Sequence, residues 1–97
     1  MGTVGREGQG RRAGVIYDVE FSLDAAAELV RITEVVGSAV SVLQAAEAIR
    51  RQLEDDPAEK GEFLSEGLYY IDAEPLRAFY LIDVDAMVVE VTDFRIL

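Results

Sequence analysis

In the stretch VIYDVEF, Val15, Tyr17, Val19 and Phe21 fall on one side of an alternating pattern, and Asp18 and Glu20 fall on the other. That period of two predicts a half-buried strand from Val15 to Phe21. The period changes at Ser22. Ala25, Leu29, Ile32 and Val36 are spaced by four, three and four, which puts them on one face of a helix. Ser22 suits the N-cap, and Asp24 and Glu28 suit the positive end of the helix dipole. Gly37 is placed to end this helix and Ser38 to start the next. The second helix is expected from about Ala39 to Glu54, with Val42, Ala46, Ile49 and Leu53 on its apolar face. A Gly-Ser connection between two amphipathic helices predicts an antiparallel hairpin. Alanines at 25–27, 45, 46 and 48 allow the two helices to approach closely. Glu54, Asp55 and Asp56 stand where the helix dipole prefers cations, and the sequence offers no reason for them. Pro57 closes the helix, and AEKGE reads as loop.

The last third is extended. LYYIDAE reads as a strand, with a short extended piece at Phe63-Leu64 before it, and Pro75 marks the turn that follows. LRAFYLID and MVVEVTDFRIL are two more strands, joined by a turn at VDA. In the first of these, Leu76, Ala78, Tyr80 and Ile82 share one face, while Arg77, Phe79, Leu81 and Asp83 share the other. Strands that are apolar on both faces are usually central. The predicted fold is therefore α+β: an N-terminal strand, a two-helix antiparallel hairpin and a three-stranded antiparallel meander, with the helices packed on one face of the sheet. A helix pair covers only one face. The other needs the chain's own loops or another protein.

Composition narrows the chemistry. The 97 residues fit one domain and include neither cysteine nor histidine. Disulfides, thiolate nucleophiles and the commonest general base are excluded, and only carboxylates remain as ordinary metal ligands. The acid-rich EDDPAE lacks the spacing of a calcium loop, and no cofactor is expected. No apolar run approaches the length of a membrane span and no secretory signal is evident, so a cytoplasmic protein is expected. Net charge is −10, unevenly spread. Residues 1–13, rich in glycine and read as a flexible leader, carry +2 from Arg6, Arg11 and Arg12 against Glu7, which leaves −12 on the domain spanning 14–97. Three arginines are a weak signal for an RNA-binding arm. A body this acidic repels phosphate backbones, so direct nucleic-acid binding is disfavoured.

Three stretches carry a resemblance. YDVEFSLDAAAEL has the F-S-x-x-A-x-x-x-L pattern, AAEAIRRQLEDDP ends a helix on proline, and GLYYIDAEPLRAFYLIDVDAMVVEVTDF holds an R-x-x-Y strand followed by a V-V-x-V strand. In this order they resemble the RelE/ParE toxin family of bacterial toxin–antitoxin systems, over nearly all of residues 15–97. The resemblance implies one of two activities: RelE-like cleavage of messenger RNA on the ribosome, or ParE-like poisoning of DNA gyrase. For a nuclease it points to Arg77, Tyr80 and Arg95. Arg77 matches a position where nuclease members often carry arginine, Tyr80 is the usual aromatic of that strand, and Arg95 is displaced by about two positions from the family's C-terminal arginine. Tyr80 also has a purely structural reading, packing against the helices. Arg77 and Arg95 also read as ion-paired with neighbours such as Asp83 or Asp93. The basic residues expected before the hairpin are replaced by Glu59, Lys60, Glu62 and Glu66. The further basic residues and tyrosine expected after the last strand have no counterpart before the sequence stops at Leu97.

These departures favour a member that acts by binding proteins, either a ParE-type inhibitor or a catalytically degenerate form. Arg77, Phe79 and Leu81 are its candidate contact residues. The implied partner is an antitoxin. Family toxins are usually basic and their antitoxins acidic, so the inverted sign here predicts a basic contact segment on the partner. Gyrase and the ribosome are the implied targets. A ribosome-dependent endoribonuclease and an unrelated α+β interaction domain are the alternatives.

Overall fold

Serine 22 sits where strand becomes helix, and three hydrogen bonds hold it there. Its N–H donates to the Val91 carbonyl at 2.9 Å, its Oγ accepts from the Ala25 N–H at 3.0 Å, and the same hydroxyl reaches the Thr92 carbonyl at 3.4 Å. A computed structural model of the chain describes residues 16–97. The expected leader at 1–13, like Val15 of the expected first strand, lies outside the described residues.

Strand β1 is Asp18–Phe21. The alternation predicts a longer strand; at its observed start the Asp18 N–H donates to the Met87 carbonyl, while the Tyr17 N–H, on the opposite edge, donates to the Glu54 carbonyl at the end of the second helix, both at 2.9 Å. Helix α1 (Leu23–Val36) buries Ala25, Leu29 and Ile32, as the spacing requires. Gly37 ends it in the left-handed region (φ 78°), where a residue without a Cβ is unstrained, and its N–H donates to the Thr33 carbonyl. Helix α2 (Ala39–Leu53) is capped by Ser38 and buries Val42, Ala45, Ala46, Ile49 and Leu53.

The expected loop after Pro57 is instead a single helical turn, α3 (Pro57–Lys60). Pro57 occupies the first helical position, where its missing N–H costs nothing, and the N–H groups of Glu59 and Lys60 donate to the Asp56 carbonyl. Two cations lie close to the acids at the end of α2. Arg50 pairs with Glu54 at 2.6 Å, and the Lys60 ammonium donates to the Asp55 carbonyl at 2.8 Å. Cations therefore do reach this helix end.

Four strands complete the sheet: β2 (Glu62–Ser65), β3 (Leu68–Ala73), β4 (Leu76–Asp83) and β5 (Val88–Ile96). The order is β1-β5-β4-β3-β2. β1 lies parallel to β5 with Asp18 opposite Val88 and Phe21 opposite Val91, and the other pairs are antiparallel. The extended piece foreseen at Phe63-Leu64 is thus a true edge strand. The β3–β4 turn carries a cis Glu74–Pro75 peptide.

The core lies between the helix pair and one face of the sheet. Leu76, Ala78 and Tyr80 of β4 enter it with Val89, Val91 and Phe94 of β5, all 0% exposed. Val89 and Val91 keep the period of two, and Phe94 breaks it. The register explains how: Tyr80 faces Val91 while Phe79 faces Asp93, so Thr92 is an extra residue, a β-bulge. Without it Asp93 would point into the core. With it, Phe94 meets Phe21 edge-to-face at 5.2 Å.

Tyr80 stacks on Tyr69 and donates its hydroxyl to the Pro57 carbonyl at 2.7 Å. Gly61 passes so close that a Cβ there would collide with the Tyr80 hydroxyl and with the Tyr70 carbonyl. Gly61→Ala is therefore expected to destabilise the fold by about 1–3 kcal/mol in denaturant unfolding, as overpacking does. Phe94→Ala should lose about 3–5 kcal/mol. Burial pushes the Tyr80 phenol up to about 12 from an ordinary 10.0. The folded state therefore favours the protonated form. That contribution to stability is complete below the unfolded value and is lost as pH rises from about 10 through about 12. The unfolding midpoint should fall across that window in the wild type and much less in Tyr80→Phe.

Candidate functional site

The face of the sheet turned away from the helices has no cover among the described residues. Side chains alternate along β4, so Arg77, Phe79, Leu81 and Asp83 point outward. Register then decides their neighbours: Asp72 and Arg95 flank Arg77, Tyr70 and Asp93 flank Phe79, and Leu68 and Glu90 flank Leu81. Glu20 of β1 lies beyond Glu90, and Asp18 lies beyond Val88.

Arg77 pairs with Asp72 rather than with Asp83, because Asp72 is its direct cross-strand partner and Asp83 is six residues further along the strand. The contact is bidentate, with Nε donating to Oδ1 at 2.7 Å and Nη2 to Oδ2 at 3.0 Å. The guanidinium also lies over the Tyr70 ring, 4.3 Å from its centre. The Arg77 hydrogen bond holds the Asp72 carboxyl below its ordinary range. Arg95 pairs with Asp93, as expected, at 3.4 Å, and sits 5.7 Å from the centre of the Phe79 ring. Arg77, Phe79, Arg95, Ile96 and Leu97 line a recess of about 380 Å³. Two arginines directly opposite each other would repel, but here each carries its own carboxylate and rests on its own ring.

Tyr80 is not part of this constellation. It points to the opposite side of the sheet, fully buried, with its hydroxyl committed to Pro57. The sheet thus brings Arg77 and Arg95 together and keeps Tyr80 apart from both. Arg77, Phe79 and Leu81 do share the uncovered face, with Leu81 40% exposed.

The pairing of cations extends beyond this face. Arg31, Arg50, Arg51, Lys60, Arg77 and Arg95 are the six cations of residues 16–97, and each has a carboxylate within 4 Å. Glu47, hydrogen-bonded by Arg50 and then by Arg51, is held at about 2. Lys60, the lone cation where the family resemblance implies several, is tied to the end of α2. Among the described residues no group of carboxylates could hold a metal ion, and no helix is long and apolar enough to cross a membrane.

A second surface escaped the sequence reading. Val40, Leu43 and Ala48, with Gln44, Glu47, Arg51 and Gln52 around them, line an open groove of about 740 Å³ along the outer side of α2. Val40 is 66% exposed and Leu43 53%. The signal was present: Val40, Leu43 and Ala48 form a second apolar stripe on a helix whose first stripe faces the core.

Arg77→Gln should leave the unfolding midpoint nearly unchanged, since the pair is partly exposed. It should also let the Asp72 carboxyl rise toward its ordinary value, a change that carboxyl NMR titration reads directly. The stability supplied by the lowered Asp72 is present above its ordinary value and is lost as pH falls through the lowered one.

No protein-family model and no curated protein matches this sequence. Solved structures do match. A chain of the toxin–antitoxin complex RelBE2 from Mycobacterium tuberculosis superposes with a TM-score of 0.71 at 20% identity, over 87% of this chain and 94% of that one. A chain of the chromosomal ParDE toxin–antitoxin system of P. aeruginosa gives 0.60 at 18% identity, over 87% and 99%. TrmO from Pseudomonas aeruginosa gives 0.54 at 19% identity, over 91% of this chain but 39% of that one. At these identities the likeness is one of fold. Strand, helix hairpin and meander, nearly end to end in both toxin–antitoxin structures, give this chain a RelE/ParE-like toxin fold.

Proposed function

We propose that the chain is a toxin-family protein of a toxin–antitoxin pair that acts by binding proteins rather than by cutting RNA. The observation that carries this reading is the division of Arg77, Tyr80 and Arg95 between the two faces of the sheet. In-line attack by a ribose hydroxyl needs a group to move its proton and a free cation to meet the developing phosphate charge. A phenol sealed in the core at about 12 is no proton shuttle at neutral pH, and both arginines already hold carboxylates. The partner side rests on two structural neighbours that are themselves toxin–antitoxin assemblies. The −12 carried by the domain calls for an antitoxin with a basic contact segment. A cytoplasmic site of action belongs to the same reading, with gyrase ahead of the ribosome as target.

One observation favours a second reading. Arg77 over Tyr70 and Arg95 over Phe79 place cations and aromatic rings together on an uncovered surface, a combination that stacks single-stranded bases. A ribonuclease would use that surface.

Expression with and without the neighbouring-encoded partner, scoring growth, messenger RNA integrity and DNA supercoiling, separates the two. Binding without cleavage predicts growth inhibition relieved by the partner, with messenger RNA intact in the wild type and in Arg77→Ala alike. Cleaved RNA that becomes intact in Arg77→Ala would overturn the reading in favour of the nuclease.

A further inference from the structure

The uncovered face is electrically divided. At the Arg77–Arg95 end, charge is neutralised within the chain. At the other end Asp18, Glu20, Asp83 and Glu90 point outward, all exposed, and none has a cation within 4 Å among the described residues. Glu20 and Glu90 are direct register partners across the β1–β5 pair. Like charges directly opposite each other on adjacent strands are destabilising, so the isolated sheet bears a repulsion here that a cation from outside would relieve. Between these acids lies apolar surface. Leu81 and Val88 line a recess of about 340 Å³ together with Glu20, Asp83 and Glu90. Apolar floor, acidic walls and no counter-charge among the described residues define one kind of occupant.

We propose that this end of the open sheet face is the docking surface for a cationic segment of a partner protein, with an apolar side chain of that segment seated on Leu81 and flanking lysines or arginines against Glu20, Asp83 and Glu90. The proposal rests on the reading of the chain as one half of a protein pair, and it locates the contact that charge alone leaves unplaced. Burying Leu81 supplies the apolar contact, and the carboxylates set orientation and association rate.

The test uses the full chain and a synthetic peptide in which lysines flank a leucine, with a glutamate-for-lysine peptide as control. The lysine peptide is expected to bind with strong salt dependence. Glu20→Gln/Glu90→Gln should weaken it about tenfold, and Leu81→Ala by a similar factor. Asp24→Asn/Glu34→Gln removes the same charge from α1 and should weaken binding less than about twofold. Amide-exchange protection should map to β1, β4 and β5. Glutamine matches glutamate in shape and relieves the opposed pair, so the Glu20→Gln/Glu90→Gln protein should melt no lower than the wild type, which separates lost binding from lost fold. Equal weakening by both double variants, or failure of the lysine peptide to bind, would overturn the proposal. So would tighter peptide binding by Arg11→Gln/Arg12→Gln, which would make this chain's own N-terminal segment the occupant. A cognate partner that binds wild type and Glu20→Gln/Glu90→Gln equally would also sink the surface while leaving the toxin–antitoxin reading intact. If no cognate partner exists that reading fails, and the peptide arm still decides the surface.

Discussion

A long strand that buries one of its faces must keep its apolar residues turned to the core along its whole length, and β5 does so only because Thr92 stands outside its ladder with β4. Upstream of the bulge, Val89 and Val91 meet α1 and β1. Downstream, Phe94 rejoins the same core one residue late. The Thr92 hydroxyl donates to the Phe79 carbonyl and its own carbonyl receives the Ser22 hydroxyl, so the irregular residue is bonded to both neighbouring segments. Ser22 in turn caps α1. Sheet register, helix start and core composition thus meet at one position. The outward direction of Asp93 and Arg95, which pairs those two and puts Arg95 over Phe79, follows from the same extra residue.

Where periodicity was unbroken, the sequence could be read directly. The helix faces of α1 and α2, both serine caps, Gly37, and the inward and outward sides of β4 all follow from spacing that local geometry enforces. The opposite placement of Arg77 and Tyr80 was legible for that reason. What escaped required knowledge of partners distant in the chain. The Tyr17 N–H meets the Glu54 carbonyl, thirty-seven residues further along the chain. The partner of Arg77 depends on β3–β4 register, which selected Asp72. The parallel docking of β1 beside β5 depends on a crossover through both helices. The turn at Pro57–Lys60 was missed because four residues are too few to show a helical period, although proline at a first helical position was a usable cue.

The fold and the chemistry of the surface are set by different residues of the same strands. The strand, helix hairpin and meander of the RelE/ParE-like fold are set by buried apolar positions. Activity would instead be set by charged and aromatic groups facing outward. There the chain spends every described cation on its own carboxylates, and the excess negative charge is left for whatever approaches. Core and surface are separately variable, because the two alternate residue by residue along the same strands.

Gly61 joins two parts of the molecule that a topology diagram draws as separate. It leads into the edge strand β2, and it also abuts the hydroxyl through which Tyr80 holds Pro57. The rim of the sheet is therefore latched to its centre. Peeling β2 away would draw Gly61 off the phenol, open a path for water to the hydrogen bond beneath it, and couple fraying at the border to hydration of the interior. An edge secured in this way behaves less like a loose hem than like the last tooth of a zip, and its opening would register first at Tyr80.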